Sequence, residues 1–528
     1  MAITQVYTAV PGDIITAARW NNEFGNIYNN FADLSSASVI ATGSSEVRAL
    51  NTRFADRLNV KDFGAVGDGV ANDYTALNAA LVYVAANGGT IYMPAGTYLI
   101  DSGIILTSAA QPFHLVGAGP QRTIIKRSTN FAGSTIEIRS SNDWSITNLT
   151  INGNHAVFTG GNHGLAFRDC NRVYLGRLFV TDYKSAGIIG FSATPGVATH
   201  GDNVVEQCTA DGLAACALGI MVADQYRTRF VNCVAKNIDT ASNPGYGIQF
   251  KNNCRDCVMI NPQVFTARMG IVISNDKIDA DDSFDNRVYG GYAFNCLLTG
   301  LDFGGVNRSG AYDVKIDMNN QGNDACTFDD ATIQSEVRIS TVDVPVVKSC
   351  VKFSTNCFDN YAVITSMSQP ALGAICFGSI ISSATSLRNT VILNKVVTPV
   401  ITSASNLFSN ASDSTNTFES QNITLRNLLT IATGIITVGN GKIQHILVDT
   451  EAAAATDDLA TINGGNDYQQ VTLTSTNNTR DIVVKHNTGN IVLNGLADFT
   501  LDNTADTLTL LYRSTLSKWV EVGRSNNL

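Results

Sequence analysis

Charge is scarce in this chain. Asp, Glu, Lys and Arg make up only 15% of its 528 residues, against the usual quarter. The surface must therefore be built from Asn, Ser, Thr and Gly, whose amides and hydroxyls bond to one another and to sugars. Positive charge is the scarcer sign: 35 Lys and Arg stand against 45 Asp and Glu, a net charge of −10. That balance excludes a nucleic-acid backbone as partner. No apolar run reaches membrane-spanning length; 212–223 comes nearest and is too short. Met1-Ala2-Ile3-Thr4-Gln5 has neither the basic nor the apolar part of an export signal. The cysteines, 11 in all, fall between Cys170 and Cys376. Their odd number and wide spacing exclude a disulfide framework. Cys254 and Cys257 form a C-x-x-C with no second pair, so a zinc site lacks half its ligands. These thiols read as small apolar residues stacked in a core. A hydrophobic content of 44% is ample for such a core, and the length predicts several domains or one long repeat array.

What is present is organised around residues 60–100. Val60-Lys61-Asp62-Phe63-Gly64-Ala65 reads as a short extended lead-in, and Gly67-Asp68-Gly69 as a turn. Asn72 then caps a helix over 73–86 with Asp73 in its first turn. Leu77, Ala80, Leu81 and Val84 form its apolar stripe, and Gly88-Gly89 stops it. Two β-prone stretches follow, separated by Pro94-Ala95-Gly96. A short helix ahead of many strands suits the open end of a stack of β-coils, whose unpaired edge needs a cover.

Asp62-Phe63-Gly64-Ala65, Gly67-Asp68-Gly69, Asp73, Ala76 and Pro94-Ala95-Gly96-Thr97-Tyr98 closely resemble the opening of pectate-lyase-like right-handed β-helix proteins. Leu115-Val116-Gly117-Ala118-Gly119 and Thr123-Ile124 continue the match, while Tyr74 stands where that family usually has threonine or serine. Ahead of it, Pro11 to Tyr28 place Trp20, Phe24, Ile27 and Tyr28 on one helical face. This string resembles the virion-attachment segment of tailed-phage tail proteins. Residues 46–59, with Arg53-Phe54-Ala55-Asp56-Arg57, resemble the neck of phage tailspikes.

From about residue 104 to 378 a loose repeat runs. Gly164-Leu165, Gly187-Ile188, Gly219-Ile220, Gly247-Ile248, Gly270-Ile271 and Gly300-Leu301 start successive units, at steps of 23, 32, 28, 23 and 30 residues. A second short strand follows each start, as a solenoid requires. Asp169, Asn252 and Asn275 near the turns could stack from coil to coil. Residues 379–422 lose glycine and cysteine and read as a Ser/Thr/Asn-rich stalk. Residues 423–528 carry short strands between regularly spaced turns, which predicts a β-sandwich. Asp498-Phe499-Thr500-Leu501 and Trp519-Val520-Glu521-Val522 resemble the trimerisation or receptor tip of phage tail fibres and spikes. His445 and His486 there read as surface residues rather than metal ligands.

The expected fold is thus mainly β: a right-handed parallel β-helix over 60–378, an attachment segment over 1–45 and a tip over 423–528. The resemblance implies a homotrimeric tailspike in the virion tail, assembled in the host cytoplasm. It implies that residues 1–45 join tail, baseplate or portal-adaptor proteins and that the β-helix binds, and cleaves, a bacterial surface polysaccharide. The alternative is a receptor-binding fibre or structural tail component that cleaves nothing. No cofactor, metal or membrane span is expected.

Cleavage by hydrolysis needs two carboxylates, one acid and one base or nucleophile; lysis needs a base and positive charge beside a uronate. Aligning the coils on their glycines puts Ala166, Ile189, Met221, Gln249, Val272 and Asp302 in one outward column. Asp302 is its one carboxylate, and Asp276 lies one coil away near the same face. These two are the leading acid–base pair, followed by Asp279, then Asp224 and Glu206. Trp144 and Tyr183 are candidates for stacking on sugar rings.

Removing residues 1–45 is expected to leave a soluble, folded trimer that no longer joins virions. Sedimentation of the truncated protein checks this, and a monomer would contradict the division.

Overall fold

The computed structural model describes residues 38–40, 45–49 and 57–527, apart from short stretches such as 159–162, 276–282, 369–376 and 398–407. The aromatic face predicted at Trp20, Phe24, Ile27 and Tyr28 lies outside the described residues. The main body is a right-handed parallel β-solenoid of about 14 turns, one continuous 33-stranded arrangement. Each coil gives one strand to each of three sheets. In the second sheet a single inward column runs Leu58, Ile91, Leu115, Ile146, Leu175, Val205, Phe230, Met259, Val288, Ala311, Val337, Ala362 and Val391 without a register slip. The first sheet stacks the isoleucines and leucines that follow the repeat glycines. Leu165, Ile188, Ile220, Ile248, Ile271 and Leu301 pair in that order, continuing to Cys326 and Val351.

The glycine at the start of each unit has a steric cause. A Cβ on Gly187 would lie 2.8 Å from the Cβ of Ala210, and one on Gly247 would lie 2.4 Å from Val264 Cγ1. Ala210 and Val264 are inward side chains of the third sheet. They fill the corner where the chain turns into the first sheet, so only a hydrogen fits there.

One end is closed by helix α1, Tyr74–Asn87, whose Ala76, Leu77, Ala80, Leu81, Val84 and Ala85 are buried. Leu77 and Leu81 line one apolar space with Val60, Ile91, Ile104, Leu115 and Ile125. Two local details differ from the sequence reading. Val60–Phe63 is a 3-10 turn, not an extended lead-in, because Asn59 and Asp62 cap each other. The N-cap position is Asp73, not Asn72. The Asp73 carboxylate turns back to accept the Val66 and Gly67 amides at 2.6 and 3.1 Å, while Asn72 Oδ1 takes the Tyr74 amide.

Inside the coils polar ladders satisfy buried backbone. Asn286 Oδ1 accepts the Cys257 amide, and the Asn286, Ser309, Ser335, Asn360 and Asn389 amides each donate to the side chain one coil on, ending at Asn416. These residues are buried. They sit at the turn into the second sheet; of the turn residues singled out from sequence, Asp169 accepts the Ala193 amide of the next coil at 2.7 Å. On the outside of the same turn, charge is paired between neighbouring coils. Arg172 forks onto Asp143 at 2.6 and 2.7 Å, Arg227 onto Asp202 at 2.7 and 2.8 Å, and Arg388 onto Asp359 at 2.7 and 2.8 Å. Exposed pairs of this kind contribute little individually. The described cysteines are all free and buried, Cys254 and Cys257 included, as their apolar reading requires.

One expected boundary shifts, and one expected architecture differs in strand direction. Parallel pairing does not stop at 378: Phe377–Ile381, Thr390–Leu393, Val396–Val397, Phe408–Asn410 and Thr417–Ser420 continue the same sheets, so the presumed stalk carries coils. Loss of glycine there is a loss of the corner signature, not of the fold. The C-terminal unit, expected as a β-sandwich, has sheets of mixed strand direction. Arg426–Thr430, Ile443–Asp449 and Gln470–Ser475 pair in parallel, as do Thr456–Leu459 with Asp481–Val484 and Ile435–Thr437 with Thr461–Asn463. Antiparallel strands Thr507–Arg513 and Lys518–Ser525 then close it. Regular turns at strand-length spacing are common to both architectures, which is why the two look alike in sequence. Ile446, Leu473, Leu508 and Trp519 form part of its separate core.

Two substitutions test this packing. Gly247→Val is expected to overfill the corner and destabilise the fold by about 1–3 kcal/mol, read as a lower midpoint of urea denaturation. Asn389→Leu strands the Asn360 amide and is expected to cost about 2 kcal/mol. Unchanged midpoints would remove the corner and the ladder from the account.

Candidate functional site

The first sheet's outward column is the one derived from the glycine spacing. Glu137, Ala166, Ile189, Met221, Gln249, Val272 and Asp302 pair in sequence, and the column continues to Thr327 and Lys352. Sequence stopped it at Asp302 because the next two starts carry Ala325 and Cys350 in place of glycine. Along this face the chemistry changes. Ala166, Ala186, Ile189 and Met221 form an apolar cluster with Phe191 and Leu218 against it. Beyond Met221 the face is polar. Gln249 Nε2 donates to Ser274 Oγ at 2.8 Å. The Thr327 hydroxyl donates to Asp302. Asp324 Oδ1 accepts the Ser349 amide and hydroxyl at 3.0 and 2.7 Å, and its Oδ2 lies 3.8 Å from Lys352 Nζ. The Cys326 thiol is pushed up first by burial and then by the Asp302 and Asp324 charges.

Asp302, Thr327 and Lys352 thus follow one another in the outward column on three successive coils, and Asp324 lies beside Lys352. Thr327, Asp324, Ser349 and Lys352 were missed from sequence. Extending the column through Ala325 and Cys350 would have found Thr327 and Lys352. Asp324 precedes its strand, and no spacing marks it.

The other sequence candidates are dispersed. Asp302 is outward by parity yet only 5% exposed. Asp276 and Asp279 lie outside the described residues, so the Asp302–Asp276 pair remains a sequence reading. Asp224 is 3% exposed, has φ of 55° and accepts from Asn253 Nδ2 at 2.7 Å. It ends the strand Leu218–Ala223 and acts there as a turn carboxylate. Glu206 belongs to another face, the outside of the second sheet, where the Tyr174 hydroxyl donates to it at 2.7 Å. Neither aromatic offers a ring to solvent. Trp144, 1% exposed, stacks on Phe113 and donates its Nε1 to Ser141 O. Tyr183, 2% exposed, lies beneath Gly187. Both fill the coil interior because inward positions reward large apolar rings.

Near the other end of this face, burial holds His163 down to about 4, against a small opposing pull from Glu137. Glu137 itself pairs with Arg139 at 2.6 Å. A histidine whose pKa is lowered by folding stabilises the fold where it is neutral in both states, above the unfolded value of about 6.5. That contribution is lost as pH falls from about 6.5 to 4. His163→Gln is therefore expected to flatten the loss of thermal stability across that window. A profile parallel to wild type would refute the buried neutral imidazole.

Residues 57–143 match the family described as rhamnogalacturonase A/epimerase, pectate lyase-like. The chain is 29% identical over 266 residues to the mannuronan C5-epimerase AlgE1 of Azotobacter vinelandii, covering 46% of this chain and 18% of that protein. It is 28% identical over 145 residues to the preneck appendage protein of Bacillus phage PZA, covering 25% of this chain and 16% of that protein. It therefore spans less than a fifth of the length of either relative. Among solved structures, the A-module of the Azotobacter vinelandii mannuronan C-5 epimerase AlgE6 superposes with a TM-score of 0.54 at 18% identity, over 69% of this chain and 98% of that one. That likeness concerns the fold.

Proposed function

We propose that this chain is a tail appendage of a bacteriophage, held to the virion through residues 1–45 as a homotrimer, whose solenoid binds and cleaves a bacterial surface polysaccharide. The observation that carries the reading is the polar half of the first-sheet face, where the Thr327 hydroxyl bonds Asp302 and, on the next coils, Asp324 lies 3.8 Å from Lys352 Nζ. It is supported by the similarity to a polysaccharide-modifying epimerase and to a phage appendage protein. Asp302 takes the part of general acid or base, oriented by the Thr327 hydroxyl. In hydrolysis Asp324 is the second carboxylate on this face. In lysis the Lys352 ammonium supplies the positive charge that stabilises an anion next to a uronate. A second reading, receptor binding without cleavage, draws on the burial of Asp302 and Asp224, which suits turn and ladder carboxylates.

The test incubates the full-length protein with capsular polysaccharide, lipopolysaccharide and polymannuronate. Chain length, new reducing ends and unsaturated uronate are followed. The wild type is expected to shorten one of these polymers and Asp302→Asn to lose about 100-fold or more in rate with its fold intact. Unchanged turnover in the variant rejects Asp302. Binding without shortening by the wild type selects the second reading.

A further inference from the structure

The C-terminal unit holds a cavity that the first-sheet face does not account for. Its volume is 390 Å³, and it is lined by His445, Ile446, Leu447, Thr474, Ser475, Thr476 and Thr504. Parallel strands Ile443–Asp449 and Gln470–Ser475 put Leu447 beside Thr474 on the outward side of the sheet, while Ser475 turns to the core beside Val448. Thr504 reaches it from the turn after Phe499–Leu501, a turn held by Asn478 and Asp506.

The groups around this space are of two kinds. Ser475 Oγ is spent on the Asn477 and Arg480 carbonyls at 2.9 and 3.0 Å. The side chains of His445, Thr474 and Thr504 make no hydrogen bond to the described residues. Thr476 Oγ1 is buried beside the Asp449 carboxylate and helps hold its pKa down. The nearest charges cancel, because Arg480 Nη1 bonds both Asp449 oxygens at 2.8 and 2.7 Å. No lone cation or carboxylate lines the cavity to select a charged ligand.

A space of this size with a few convergent polar groups and an apolar floor is the usual form of a small-ligand site. We propose that it binds one neutral sugar residue, its hydroxyls meeting Thr474, Thr476, Thr504 and His445 and its carbon face resting on Leu447. This is a binding site separate from the cleavage face and goes beyond the function proposed above. A sister chain seated on the same sheet is the competing occupant.

The test titrates the full-length protein with glucose, galactose, N-acetylglucosamine and rhamnose, read by saturation-transfer NMR and calorimetry. At least one is expected to bind, with a Kd of about millimolar order, as a single-residue contact allows. The double variant Thr474→Val, Thr504→Val is expected to weaken it at least about fivefold, the loss of two hydrogen bonds to a neutral ligand. Thr504 is exposed, so Thr504→Val alone, with a smaller weakening, serves if the double variant unfolds. Polymer shortening is expected to be equal in these variants and the wild type, which separates this site from the cleavage face. Failure of every probe to bind, as a seated sister chain would cause, overturns the proposal. So does binding unchanged in the variants.

Discussion

A coil of this solenoid satisfies its backbone only by lying in register on the next one. Every strand is both partner and template, and a slip of one residue would turn each inward side chain outward. Two devices hold the register. At the corner into the first sheet, the inward side chains of the third sheet leave room for a hydrogen and nothing larger, as at Gly187 and Gly247. At the turn into the second sheet, the column from Asn286 to Asn416 ties each buried amide to the side chain one coil away. One device excludes wrong registers by volume, and the other by leaving buried amides unpaired.

The same constraint assembles the site. Asp302, Asp324 and Lys352 are far apart in sequence, yet stacking brings them onto one face within three coils. Stacking also gives that face its gradient, with an apolar cluster around Ile189 and Met221 giving way to hydroxyls, amides and charge beyond Gln249. Loops of variable length can change without disturbing this, because they leave the coil between strands whose register is already fixed.

The few charges are deployed to match. Several lie in Asp–Arg forks between neighbouring coils, outside the turn whose interior carries the amide ladder. Other charges pair elsewhere on the surface, as Arg139 does with Glu137 and Lys236 with Asp211. The C-terminal unit repeats the principle on a smaller scale, with parallel strands stacked over its own core and the antiparallel strands Thr507–Arg513 and Lys518–Ser525 extending the same sheet.

Sequence alone determined what depends on local volume and periodicity. The glycine starts marked the corners, their spacing gave the coil register, and the pattern around Asp73 marked the capped end. The outward column from Ala166 to Asp302 followed from the same parity. Where the corner filler changed, at Ala325 and Cys350, the signal stopped while the coils went on, so Thr327, Lys352 and the strands beyond 378 were invisible. Parallel and antiparallel closure of residues 423–528 share the same turn spacing, and only the pairing partners tell them apart. Burial was also decided by the tertiary structure: parity says which side of a sheet Asp302 or Trp144 faces, but not what lies over it. Direction along a strand is a property of one segment, whereas cover is supplied by residues from elsewhere in the chain.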